Sequence, residues 1–180
     1  GFAALLAGRR SIADVAIVPD TDGIIFSLPN QNTIFGPVSA NDVYAMFMYD
    51  VGWDTAAYGF TTLLDGSDVG LSGGREQVDG VMVTPWKTLA ISVNGNGNVP
   101  GLGGFADEDL VELTSATLGE DSSGDWAMLF DTSDTGAGPI DTHGIYMNNF
   151  WYDVYTVSDK KTDFGWGKTI GRIRQTVFRG

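Results

Sequence analysis

The sequence contains no cysteine and a single histidine, His143. Without cysteine, the fold uses neither disulfide bonds nor thiolate metal ligands. Zinc and redox-metal sites depend on cysteine and histidine, so they are close to excluded. A Ser-His-Asp triad would have to use His143, and no Gly-x-Ser-x-Gly motif supplies a nucleophile. We interpret His143 as a strand or turn residue, and the sequence identifies no catalytic residue.

Basic residues are also scarce: 10 Lys and Arg stand against 23 Asp and Glu, a formal net charge of −13. Nucleic-acid binding rests on Lys and Arg that neutralise phosphates, so this charge argues against nucleic acid and anionic membrane surfaces as partners. No apolar run reaches the roughly 20 residues of a membrane helix. Most basic residues cluster near the end of the chain, which predicts either a solvated strand face or a docking edge for an acidic partner. They are Lys160, Lys161, Lys168, Arg172, Arg174 and Arg179.

Internal repeats fill most of the chain. Phe60–Gly70 matches Trp126–Gly136, since each opens with an aromatic residue and closes with Asp-x-Ser-Asp-x-Gly. This ending predicts a turn, because Asp and Ser side chains bond nearby backbone amides and glycine permits a left-handed conformation. Other short apolar segments recur at similar spacing. Asp14–Val18 aligns with Asp79–Val83 and Asp141–Ile145, Gly23–Ser27 with Thr88–Ser92 and Phe150–Val154, and Asp42–Met46 with Asp109–Leu113 and Thr169–Ile173.

The apolar segments are about five residues long and no window has a helical period, so we predict an all-β fold. Each unit reads as strand, turn, strand, long loop, strand, loop, strand. The units cover approximately residues 9–71, 72–137, and 138–180 together with 1–8. Residues 1–8 are assigned to the last unit because Gly1–Gly8 matches Gly59–Gly66 at five of eight positions. We therefore predict one propeller-like domain, residues 1–180, in which the N-terminal strand completes the third four-stranded unit.

The middle of the chain resembles a known repeat. Leu64–Leu71, followed by Val78–Ser92, resembles the tandem "FDGSDVGL … DIDAL … LLIS" units of secreted and surface-anchored bacterial proteins. Val99–Leu102 and Asp107–Leu110 are similar to the same repeat. The resemblance covers residues 59–137, whereas the basic third copy departs from it. It implies an exported, β-propeller-like protein, and it transfers no catalytic residue.

Acidic turns are the candidate metal site. Ca²⁺ takes six to eight oxygen ligands, and the Asp-x-Ser-Asp turns place carboxylates beside glycine. These turns lack the spaced third carboxylate and the terminal bidentate Glu of a complete calcium loop. Turn capping is therefore the favoured interpretation, with Ca²⁺ as the alternative. The candidate Ca²⁺ ligands are Asp65, Asp68, Asp131 and Asp134.

Aromatic residues are the other candidates for binding. Phe60 and Trp126 recur at one repeat position, so we predict that both lie in the core. Aromatic residues that do not recur are better candidates for stacking on a sugar ring or anchoring a protein interface. These ligand or interface candidates are Trp53, Tyr58, Trp86, Trp151 and Trp166.

The sequence favours a non-enzymatic, exported module with a structural or protein-interaction role, such as an accessory subunit of a larger envelope or surface assembly. We expect it outside the cell, on the cell surface or in the periplasm, with another protein or a second copy as its partner. One alternative is a lectin-like module that binds carbohydrate or calcium. A second is a glycoside hydrolase, which would use a pair of carboxylates.

Overall fold

The computed structural model describes residues 14–17, 23–33, 36–51, 56–132, 142–147, 153–158 and 169–174. The regular secondary structure in these ranges consists of β-strands and one short 3₁₀ helix, Ser67–Val69. None of the described segments forms a helix with the length and hydrophobicity needed to span a bilayer. The strands are β1 (Asp14–Ile17), β2 (Gly23–Ser27), β3 (Gln31–Thr33), β4 (Gly36–Val38), β5 (Val43–Val51), β6 (Ala56–Leu64), β7 (Val78–Val83), β8 (Leu89–Val93), β9 (Gly97–Val99), β10 (Gly103–Phe105), β11 (Leu110–Thr117), β12 (Ser123–Phe130), β13 (Thr142–Met147), β14 (Asp153–Ser158) and β15 (Thr169–Arg174).

The fifteen described strands group into three larger antiparallel sheets and two small hairpins. The first sheet has the order β1-β2-β5-β6, and the second has the order β7-β8-β11-β12. The third sheet has the order β13-β14-β15, so β15 lies at its edge among the described strands. The prediction of an all-β fold built from antiparallel sheets is confirmed.

One detail of the strand prediction was wrong. The long loop predicted between the second and third strands of a unit contains a small hairpin, β3-β4 in the first unit and β9-β10 in the second. Glycines at positive φ lie at these hairpins, Gly36 at +112° and Gly103 at +87°, a conformation that costs glycine little. In the third unit, the described second strand is Asp153–Ser158, and Phe150–Tyr152 of the predicted strand lie outside the described residues.

The structure also changes the alignment between the first strands of the second and third units. In β7 a bulge separates Val78 from Gly80, and in β13 an equivalent bulge separates Thr142 from Gly144. Matching the two bulges places the third unit two residues later than the sequence alignment did. His143 therefore takes the backbone position of Asp79, and not that of Val81.

Consecutive sheets pack face to face, and their first strands β1, β7 and β13 contact one another. The first seam, between the first and second sheets, buries a large apolar cluster that includes Ile25, Ala45, Ile91 and Leu113. The second seam, between the second and third sheets, buries Met82, Ala90, Leu110, Phe130, Ile145 and Met147. Burying a large apolar side chain stabilises the fold by about 1.5–3 kcal/mol, so these seams hold the sheets together.

A third apolar cluster lies on the face of the first sheet opposite the first seam. Its buried members include Phe26, Tyr44 and Met46, with Tyr58 and Phe60 packed against them. Side chains alternate between the two faces of a strand, so Val43 and Ala45 of β5 join the first seam while Tyr44 joins this cluster. The candidate site described next lies beside this third cluster.

Candidate functional site

A groove of about 480 Å³ opens beside the aromatic residues of the first sheet. Residues of the first sheet and the turn after it form most of its wall, whereas Glu120 comes from the loop between β11 and β12 of the second sheet. The groove therefore lies where two repeat units meet. Its principal lining residues are Asp42, Tyr44, Phe60, Thr62, Asp65 and Glu120.

Hydrogen bonds fix the Glu120 loop to the first sheet. The Gly119 amide donates to a carbonyl of β6 at 2.9 Å. The Ser122 amide donates to Asp68 Oδ2 at 2.9 Å, and the Asp65 amide donates to Ser122 Oγ at 3.0 Å. These bonds span more than fifty residues of sequence, so they place Glu120 beside the acids of the first unit.

Asp42 lines the groove and accepts hydrogen bonds from two donors. Its Oδ1 accepts the Gly66 amide at 3.1 Å, and its Oδ2 accepts the Tyr44 hydroxyl at 2.9 Å. Burial raises the pKa of Asp42, and the nearby charges of Asp65 and Glu120 raise it further, although the two hydrogen bonds oppose this. Burial and the Asp42 charge also raise the pKa of Tyr44 above its usual range, so its hydroxyl stays protonated and can donate.

Aromatic rings form the other wall. The rings of Tyr44 and Phe60 are stacked, with centroids 5.3 Å apart and planes 14° from parallel. Phe26 contacts the Phe60 ring at a centroid distance of 6.0 Å. Phe60 is half-buried and faces the groove, whereas its repeat counterpart Trp126 is buried in the first seam. The sequence had placed both residues in the core: Trp126 is buried in the first seam, and Phe60 is partly buried against the third apolar cluster.

The acidic turns bind backbone groups of the protein. Asp65 Oδ1 accepts the amide and the hydroxyl of Ser67, at 3.0 and 2.7 Å. Asp68 accepts the Ser122 amide, as described above, and Asp131 is half-buried near Asp109. Asp134 lies outside the described residues. Within the described ranges, no group of three or more His, Asp or Glu side chains is arranged to hold a metal ion.

The aromatic candidates are separated in the structure. Tyr58 is half-buried and packs against the third apolar cluster. Trp86 lies in the turn between β7 and β8, packs against the second seam, and donates its indole N–H to Glu112 Oε2 at 2.7 Å. Trp53, Trp151 and Trp166 lie outside the described residues, as does the side chain of His143.

Sequence reasoning missed Asp42, Tyr44 and Glu120 as parts of one site. A local signal existed for Asp42, because Asp109 takes the same place before the third strand of the second unit. Tyr44 has Val111 as its counterpart, so a polar aromatic residue replaces an aliphatic one at this position. Nothing local links Glu120 to either residue, because the contact depends on how two sheets pack.

Comparison of the chain with protein-family models, with curated proteins and with solved structures finds no match.

Proposed function

We propose that this chain is a non-enzymatic protein-interaction module of an exported protein and that its binding surface is the groove of the first sheet. The observation that carries the proposal is the convergence of three acidic side chains from two units on one groove with an aromatic wall. The partner that fits is a protein segment that presents lysine or arginine side chains.

The electrostatics of the groove favour a cation. The charges of Asp65 and Glu120 act unfavourably on the Asp42 carboxylate and raise its pKa. A bound ammonium or guanidinium group would relieve this repulsion, and arginine can bond a carboxylate through two N–H groups at once. The half-buried ring of Phe60 adds a surface that attracts cations by cation–π interaction.

The scaffold is proposed to be propeller-like. In its support, consecutive sheets pack face to face and their first strands contact one another. The first two sheets have four strands each, and the third has three described strands with β15 at its edge. We propose that Phe2–Ala7, which lies outside the described residues, pairs with β15 as the fourth strand, because this segment resembles the end of β6.

A carbohydrate is the second candidate ligand. Sugar rings stack on aromatic side chains and their hydroxyl groups bond carboxylates, and Phe60 and Asp65 offer both contacts in the groove. A hydrolase is a weaker proposal, because both carboxylate oxygens of Asp42 already accept hydrogen bonds from the protein.

The test compares two neighbouring exposed acids. Binding of a fluorescent peptide of alternating Gly and Arg is measured by fluorescence anisotropy, with a citrulline peptide as the neutral control. We expect Glu120→Gln to weaken arginine-peptide binding by about threefold, as for one partly exposed ion pair. Asp121→Asn is the matched control, because Asp121 is equally exposed but does not line the groove.

Equal weakening by Asp121→Asn, or equal binding of the citrulline peptide, would overturn the proposal, because non-specific attraction would then explain the result. Retention on immobilised oligosaccharides, reduced by Glu120→Gln, would instead support the carbohydrate ligand. Binding of the arginine peptide should also strengthen as the pH rises through the raised pKa of Asp42, because the carboxyl group then ionises.

A further inference from the structure

Strand β6 is the outer edge of the first sheet. It pairs with β5 on one side, and within the described ranges the only backbone pairing on its other side comes from the loop between β11 and β12. There, Gly119 forms a parallel bridge with Leu64, and its amide donates to the Leu63 carbonyl at 2.9 Å. A short piece of extended chain therefore already pairs with the C-terminal end of this edge.

The rest of the β6 edge is suited to pairing. Edge strands are commonly protected from other chains by charged side chains or proline. The nine residues of β6, Ala56–Leu64, include neither. Between two bulges, Tyr58–Thr62 pairs regularly with Tyr44–Met48, so this stretch keeps the alternating backbone geometry that a further strand needs. Gly59 is half-buried and Thr61 is exposed.

The groove follows this edge. It is lined by three consecutive residues of β6, Phe60, Thr61 and Thr62. Successive side chains point to opposite faces of a sheet, so a groove that touches all three runs along the edge of the strand and not over one face. Two of its acids lie at the C-terminal end of β6, since Asp65 directly follows the strand and Glu120 directly follows the bridging glycine.

We propose, building on the proposed function, that the basic partner segment binds as an extended strand that adds to the edge of β6. Strand addition gains affinity from main-chain hydrogen bonds and specificity from alternate side chains. Side chains two residues apart lie on the same face of a strand, about 7 Å from each other. Arginines at every second residue would therefore all lie on the face of the groove that carries its acids.

Methylation of the peptide backbone tests this mode of binding. Two versions of the alternating Gly-Arg peptide are compared by fluorescence anisotropy, one methylated on every glycine nitrogen and the other on every arginine nitrogen. They have the same charge and length, so each is the control for the other. Only alternate residues of a strand direct their N–H groups at the neighbouring strand. We expect one version to bind about fivefold more weakly for each hydrogen bond removed, and the other to change by less than about twofold.

Hydrogen exchange measured by NMR locates the bound strand. At a peptide concentration about ten times its Kd, the outward-directed amides of Tyr58–Thr62 should exchange about tenfold more slowly, because exchange then occurs mainly from the small fraction of free protein. The amides of β12, which is the edge strand of the second sheet, are the internal control and should not change.

Equal weakening by the two kinds of methylation would overturn strand addition, and so would exchange at Tyr58–Thr62 that the peptide does not slow. If arginine-dependent binding persisted in either case, the proposed function would stand while this mode of binding would be wrong. Failure of the unmethylated peptide to bind would instead refute the proposed function, and strand addition of a basic segment with it.

Discussion

Two buried threonines at the second seam should respond in opposite directions to the same substitution. Thr132 and Thr142 are 1% and 0% exposed. The Thr132 hydroxyl donates to the Glu108 carbonyl at 2.6 Å. The Thr142 hydroxyl is buried with no hydrogen-bond partner in the described part of the chain. Valine has nearly the same shape as threonine and lacks the hydroxyl, so Thr→Val tests each hydroxyl with little change in packing.

The magnitudes follow from the hydrogen bonds. Thr132→Val removes a buried bond to a carbonyl group, so the free energy of unfolding should fall by about 1–3 kcal/mol. Thr142→Val removes a hydroxyl that was buried without a partner, so the free energy of unfolding should rise by about 1 kcal/mol. A separation of about 3 kcal/mol corresponds to a Tm difference of roughly 6–12 °C for a domain of this size.

Urea and thermal unfolding at one pH, followed by circular dichroism, would measure both variants against the unchanged protein. The urea m-value serves as the control, because a constant value shows that the variants change stability and not the extent of unfolding. If Thr142→Val destabilised the protein as much as Thr132→Val, the difference between the two hydroxyl environments would be refuted.

Two further predictions concern the turn at the first seam. Gly66→Ala should lower the free energy of unfolding by about 2–3 kcal/mol in urea titrations, because the new Cβ would overlap the Asn41 carbonyl oxygen. Gly74→Ala, where a Cβ meets nothing within 4 Å, is the matched control and should change it by less than about 0.5 kcal/mol. Equal effects of the two substitutions would contradict this reasoning. The pKa of Glu76 is lowered overall. Burial alone would raise it, but hydrogen bonds from three backbone amides to the carboxylate have the larger effect. The stability that ionised Glu76 contributes is therefore lost as the pH falls below about 4.3. Unfolding titrations should show a smaller acid loss in Glu76→Gln, and an unchanged loss would exclude this role.

The sequence predicted features that depend on nearby residues. Asp65 and Ser67 form the predicted turn because their hydrogen bonds join neighbours along the chain. The apolar segments at β5 and β11 were recognised as strands because alternation is a local property. The bulge that shifts β13 could not be predicted in the same way, since it depends on how Thr142 and Gly144 pair with another strand.

The groove could not be predicted because it depends on which face of a sheet meets which neighbour. Tyr44 and Val111 take the same position in two units, yet Val111 is buried in the first seam and Tyr44 faces the opposite side of the first sheet. Periodicity shows that a strand has two faces, but it does not show what covers each of them. Glu120 adds a contact from a second sheet, and no pattern within its own loop reveals that contact.

Two backbone hydrogen bonds join consecutive units, from the Val78 amide to the Ala40 carbonyl and from the Thr142 amide to the Asp107 carbonyl. Both run in the same direction along the chain. In each pair the acceptor lies in one unit and the donor lies in the first strand of the next. Protein synthesis proceeds from the N-terminus. Each loop that carries an acceptor carbonyl therefore leaves the ribosome before the strand whose amide donates to it.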